Sequence, residues 1–265
     1  MSRNKDSLQQ TLIVAFLLCL VCSIVVSSAA VLLKDRQTAN KLLERNRNVL
    51  AAAGMYETGQ TAEEINAVFD QFQVKLVDLD NGKYLGQADL DSLGLNVDSY
   101  NQRRAAKDDQ FSRRIPSSED IAVIKRRANY ALIYVLEKNG IVEKVVLPVH
   151  GYGLWGILYG FLAVSGDANT VLGLTFYEHQ ETPGLGAEVD NPKWKAQWPG
   201  KKIYNAEQNV ALTVIKGKVL GESEHEIDGL SGATLTTRGV ANLIQYWMGD
   251  TGFGSFLVNL KAGEA

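Results

Sequence analysis

Cysteine is almost missing from this chain, and where it occurs it stands outside any soluble chemistry. Cys19 and Cys22 are the only two, and both fall inside an uncharged apolar run. The remainder therefore has no disulfide, no thiolate metal site and no cysteine nucleophile. Histidine is scarce as well. His150, His179 and His225 stand in unrelated segments without an HxxxH or HExxH spacing, so no metal set emerges. No GxSxG elbow occurs, and carboxylate pairs such as Glu63-Glu64 fall on a helix surface as capping or solvated groups. No catalytic set can be assembled from these residues. Basic surplus is lacking too: net charge is -3 and no basic stripe carries interleaved aromatics, which argues against nucleic acid as a partner.

What is present begins with residues 12–33, LIVAFLLCLVCSIVVSSAAVLL. At 1.5 Å rise per residue this run is just long enough for a hydrocarbon core about 30 Å thick. A cleavable signal peptide is the competing reading, with Arg3 and Lys5 as its basic end and Ser28-Ala29-Ala30 as a processing site. Its apolar stretch exceeds the usual length of about 7–15 residues, so an uncleaved anchor is preferred. Leu18 and Val21 precede the cysteines where a lipoprotein needs a small residue. The span holds no acidic residue, which argues against an ion path through it. Lys34, Arg36, Lys41, Arg45 and Arg47 follow it, and a positive-inside count would keep the later domain in the cytoplasm.

This pattern predicts an N-terminal tail over 1–11, a transmembrane helix over 12–33, a helical stalk with peripheral helices over 34–120, and a soluble domain over 121–265. Residues 34–53 contain no proline or glycine and read as a polar continuation of the helix. Thr61 and Glu64 make a capping-box signature ahead of Ile65, Val68, Phe69 and Phe72, one buried helical face. Residues 73–116 read as polar and irregular, with a turn at Asp80-Asn81-Gly82 and a solvated stretch, KDDQFSRRIP. Four β-rich runs follow at 130–137, 141–150, 155–165 and 171–180, joined by short turns as in an antiparallel meander. A short helix around Pro192 to Trp198, a strand over 209–217 and a helix burying Val240, Leu243, Ile244 and Trp247 complete the chain. The fold class is α+β, an antiparallel sheet flanked by helices.

Three glycine-bearing motifs remain. Gly151-Tyr-Gly-Leu-Trp-Gly156 matches G-x-G-x-x-G literally, with Glu178 about 20 residues beyond. The dinucleotide motif needs a helix next, whereas ILYGFLAVS reads as another strand. What survives is a hairpin turn, plain or able to bring a planar or phosphorylated ligand close to the backbone beside Trp155. Glu181-Thr-Pro-Gly-Leu-Gly186 is a turn with two glycines more than a surface loop requires. In DGLSGATLTTRGV, residues 228–240, Thr236 or Thr237 as a helix cap and Gly232 at positive φ give the bland account. That account leaves Ser231, Ala233 and Thr234 unexplained. A small-residue loop entering a helix N-terminus presents unpaired N–H groups to an anion, so a phosphate site is the sharper reading.

Asp228-Gly-Leu-Ser-Gly-Ala-Thr234 resembles the motif D-x-x-[ST]-G-A-[ST], whose last residue is joined to FMN by a dedicated flavin transferase. With GYGLWG, ETPGLG, one membrane helix and this length, the whole chain resembles the C subunit of the bacterial sodium-translocating NADH:quinone oxidoreductase. The resemblance implies that Thr234 carries covalent FMN through a phosphoester, within a motif completed by Asp228, Ser231, Gly232 and Ala233. It implies that Gly151, Gly153, Leu154, Trp155 and Gly156 wall the flavin with Glu181, Thr182, Gly184, Leu185 and Gly186, and that Lys216 is a nearby cation. It also implies an electron carrier in a multi-subunit complex of the bacterial inner membrane, taking electrons from an iron-sulfur centre toward another flavin and quinone. The soluble domain is then periplasmic, against the charge count. Two alternatives stand beside it: the homologous G subunit of the Rnf ferredoxin:NAD complex, with a shorter soluble part, and a tethered, non-redox binding module whose SGAT loop only caps a helix.

Overall fold

The computed structural model describes residues 8–265, so the N-terminal basic end at Arg3 and Lys5 lies outside the described residues. The chain divides into two compact units, up to Glu44 and from Arg45 onward. The first unit, in its described part, is a single helical stretch. It belongs to α1 (Leu8–Ala52), whose final residues fall in the second unit. Leu12, Phe16, Val25 and Leu32 are exposed along it, and the helix is long and apolar enough to cross a membrane.

In the second unit the end of α1 is followed by α2 (Ala62–Phe69), held by the capping box the sequence predicts. Thr61 Oγ1 accepts from the Glu64 amide at 3.3 Å and Glu64 Oε2 accepts from the Thr61 amide at 2.7 Å. Then come β1 (Phe72–Asp78), β2 (Lys83–Tyr84), α3 (Gln87–Leu93), α4 (Gln102–Ala105), β3 (Ser112–Arg114) and β4 (Arg126–Ala128). The long strands are β5 (Tyr130–Lys138), β6 (Ile141–Tyr152), β7 (Ile157–Ser165) and β8 (Val171–Glu178). After a 3-10 turn over Gly186–Asp190 follow α5 (Pro192–Lys195), β9 (Thr213–Val214), β10 (Glu226–Ile227), α6 (Thr234–Met248) and α7 (Gly254–Ala262).

Six strands form one antiparallel sheet in the order β2-β1-β5-β6-β7-β8. The meander over β5 to β8 is the one read from alternating β-branched and aromatic residues. α6 packs on it, with Val240, Leu243, Ile244 and Trp247 fully buried, the face its 3.6-residue period predicts. Each such side chain contributes roughly 1.5–3 kcal/mol relative to exposure. Trp247 is also anchored by its indole N–H, which donates to the His150 carbonyl at 2.6 Å.

Two expectations need correction. The stretch 73–116 is not irregular: β1 runs antiparallel to β5, Phe72 opposite Leu136 and Asp78 opposite Tyr130, and so belongs to the main sheet. Its lysine and glutamine disguise the alternation, and its partner strand lies far along the chain. The strand expected over 209–217 narrows to Thr213–Val214, paired in parallel with β10. Arg127 of β4 is fully buried, ion-paired to Asp80 and donating to the Thr251 carbonyl at 2.6 Å. It ties the β1–β2 turn to the loop after α6.

Candidate functional site

The three glycine motifs converge on the first turns of α6. GYGLWG is the hairpin between β6 and β7, closed by the Gly153 amide donating to the Gly156 carbonyl at 2.8 Å. ETPGLG follows β8, and DGLSGAT leads from β10 into α6. One carboxyl joins them. Glu181 is buried; its Oε1 accepts from the amides of Leu154 at 2.9 Å and Trp155 at 3.1 Å. Its Oε2 accepts from the Thr236 hydroxyl at 2.5 Å. A charged or polar acceptor taking several donors in a buried place is worth more than a surface bond, because each donor would otherwise be stranded.

Glycines make this approach possible. A Cβ at Gly153 would lie 2.5 Å from Glu181 Oε1, and one at Gly186 would lie 2.4 Å from Oε2 and 2.6 Å from Thr236 Oγ1. One at Gly239, in the middle of α6, would lie 2.4 Å from the Tyr152 carbonyl oxygen. At Gly151 it would meet Leu243, and at Gly156 the Gln180 side chain. The motif loop itself turns at Gly232, with φ +74°. Leu185 sits against that turn, 3.0 Å from where a Gly232 Cβ would be.

Thr234 is the first residue of α6, and its N-cap is Ala233, which has no capping side chain. Neither Thr236 nor Thr237 is the cap. Thr236 is spent on Glu181, and Thr237 Oγ1 accepts from the Leu230 amide at 3.0 Å, holding the loop to the helix it precedes. The leading amides of α6 thus have no side-chain cap, the arrangement that suits an anion. Thr234 is exposed, and its hydroxyl has no hydrogen-bond partner among the described residues. On the converging loops and the helix start, Leu154, Trp155, Leu185 and Leu235 present apolar side chains to solvent, Trp155 61% and Leu235 52% exposed.

The other motif residues hold the frame. Asp228 Oδ1 accepts from the Val219 amide at 2.8 Å, and its carbonyl accepts from the Trp194 indole at 2.8 Å. The Thr182 carbonyl accepts from the amides of Leu185 and Ala187, so Thr182 closes the ETPGLG turn, and Gly184 takes φ +73° within it. Ser231 is exposed on the loop. Lys216 is exposed beside Gly217, whose carbonyl accepts from the Gly229 amide at 2.7 Å; its side chain makes no bond among the described residues. Sequence reasoning missed Thr236, Gly239 and Leu235 as parts of the site. A glycine at the centre of a helix costs about 1 kcal/mol relative to alanine, and that cost was the available signal for Gly239.

Residues 153–249, which begin in the hairpin and end just past α6, match the FMN-binding domain family. Over its full length the chain is similar to the C subunit of the Na(+)-translocating NADH-quinone reductase of Pseudomonas aeruginosa, 49% identical and covering 99% of each chain. The same subunit of Vibrio parahaemolyticus is 45% identical, again over 99% of each. The chain belongs to this C-subunit family. The crystal structure of Shewanella oneidensis NqrC agrees in fold, with a TM-score of 0.74 and 36% identity over 86% of this chain and 99% of that one. Within the C-subunit family fold, the FMN-binding match takes in the three-loop junction at the start of α6.

Proposed function

We propose that Thr234 carries FMN through a phosphoester and that the chain serves as a fixed electron carrier in a sodium-translocating NADH-quinone reductase. The supporting observation is the exposed Thr234 hydroxyl, partnerless among the described residues, at a helix N-terminus without a side-chain cap, where the converging loops carry exposed apolar side chains. The fit is chemical. A phosphodiester carries one negative charge, which the leading amides and the α6 dipole stabilise by about 0.3–1 kcal/mol. Leu154, Trp155, Leu185 and Leu235 supply apolar surface for a flat ring, and Lys216 a cation on the adjoining loop. When bound, a flavin supplies reversible electron transfer, and the chain sets its position and exposure.

A threonine hydroxyl is a weak nucleophile without a base. Thr234 has no partner at hydrogen-bond distance among the described residues, and Glu181 is committed to Leu154, Trp155 and Thr236. Attachment therefore falls to an outside flavin transferase, which supplies the base and the activated flavin nucleotide. The neighbouring subunits supply the rest of the route, from an iron-sulfur centre to this flavin and then to a second flavin and quinone. α1 anchors the chain in the bacterial inner membrane as a single pass, with the second unit on the periplasmic side.

The deciding experiment is denaturation of the protein made alongside a flavin transferase, followed by gel electrophoresis and ultraviolet illumination. A fluorescent band whose intact mass exceeds the bare chain by one FMN less one water is expected. A dark band of unmodified mass overturns the proposal.

A further inference from the structure

A second site lies away from the α6 junction. A cavity of about 540 Å³ opens among α4, β4 and the adjoining parts of β6, β7 and β8, and none of its lining residues belongs to the three glycine motifs. That volume falls in the range of small-ligand pockets, roughly 300–1,000 Å³. Its wall includes the rings of His150 and Tyr159, 5.5 Å apart between centroids and 24° from parallel. Ile124, Pro148 and Ile157 make the wall largely apolar.

Two features point to a ligand. The His150 ring nitrogens have no hydrogen-bond partner among the described residues, although burial and Arg103 keep the imidazole neutral, with its pKa down to about 4. A donor and an acceptor are therefore available in a mostly apolar space. The cations are also unbalanced. Arg103 is paired with Glu178 at 2.8 Å and lies 3.4 Å over the Tyr159 ring centroid. Arg126 is paired with Asp109 at 2.6 Å and bonded to Ser112. Lys107 and Lys125 also line the cavity, and neither has an acidic partner among the described residues. Lys125 is held by its backbone, whose amide donates to Asp120 at 2.8 Å with φ +66°, while its ammonium makes no bond among the described residues.

We infer that this cavity binds a small flat aromatic acid, its ring beside His150 and the apolar side chains of Ile124, Pro148 and Ile157 and its carboxylate at Lys107 and Lys125. An aromatic body matches the wall, and an anion matches the two surplus ammonium groups. The cavity lining and the three glycine motifs of the α6 junction share no residue.

The test is calorimetric titration of the full chain in detergent with 4-hydroxybenzoate, with 4-hydroxybenzyl alcohol as the uncharged control and a detergent blank subtracted. Saturable binding of the acid is expected, at least tenfold weaker for the alcohol and for the double variant Lys107→Gln/Lys125→Gln. Both lysines are exposed, so the variant keeps the fold, which circular dichroism checks. No saturable binding up to millimolar acid overturns the inference, and so does binding that the double variant leaves unchanged.

Discussion

The Thr236 hydroxyl donates to Glu181 Oε2 across 55 residues of sequence, and the other oxygen of the same carboxyl holds the Leu154 and Trp155 amides. One side chain thus fixes the hairpin, the ETPGLG turn and the first turn of α6 to each other. The position of Thr234, just ahead of Thr236 in the same turn, depends on that clamp.

Glu181→Ala strands two backbone amides and a hydroxyl at a buried place, and should cost roughly 2–4 kcal/mol. Glu181→Gln keeps the size: its oxygen can accept both amides while its NH2 donates to Thr236. Urea unfolding of the unflavinylated chain should rank wild type, then Gln, then Ala, with Gln nearer to wild type. Equal losses for Gln and Ala would show that the three converging bonds are not what stabilises the junction.

Thr234→Val removes only an exposed hydroxyl without partners among the described residues, so its effect on stability should stay within about 0.5 kcal/mol. Flavin fluorescence on a denaturing gel should vanish entirely, and Thr234→Ser should restore it at least in part. A Val variant that still fluoresces would move attachment to Ser231, another exposed hydroxyl of the loop.

Gly239→Ala opposes two effects. Helix propensity favours alanine by about 1 kcal/mol, but the new methyl would stand 2.4 Å from the Tyr152 carbonyl oxygen and 3.0 Å from Gly153 Cα, both backbone atoms. Backbone yields little, and overpacking of this kind costs typically about 1–3 kcal/mol. Net destabilisation is expected, with flavin attachment reduced because the helix start is pushed from the hairpin. A thermal scan showing a more stable variant would mean the hairpin moves aside freely.

His150 titrates far below its ordinary 6.5, at about 4, because of burial and the Arg103 charge. As pH falls through 6.5 the unfolded chain takes up a proton that the folded chain refuses until about 4. The neutral imidazole therefore contributes stability that is whole above about 6.5 and lost between there and about 4, amounting to roughly 3 kcal/mol. His150→Phe should flatten the slope of unfolding free energy over that window relative to wild type. Parallel slopes would place the proton elsewhere.

The sequence alone determined those features whose cause is local. An uninterrupted apolar run specifies the membrane-length part of α1, the Thr61 and Glu64 pair specifies the start of α2, and Val240, Leu243, Ile244 and Trp247 recur at the helical period that buries one face of α6. The meander from β5 to β8 is legible for the same reason, since alternating β-branched residues joined by short turns leave little choice of neighbour. Tertiary structure alone decided that β1 pairs with β5, because ladder bonds carry no side-chain signature and Lys75 looks like surface. It alone decided that Glu181 faces inward to Thr236 and that His150, Tyr159, Lys107 and Lys125 line one cavity. Each of those relationships joins residues distant in the chain, and a contact between distant residues exists only once the intervening backbone has closed its loops and buried its core.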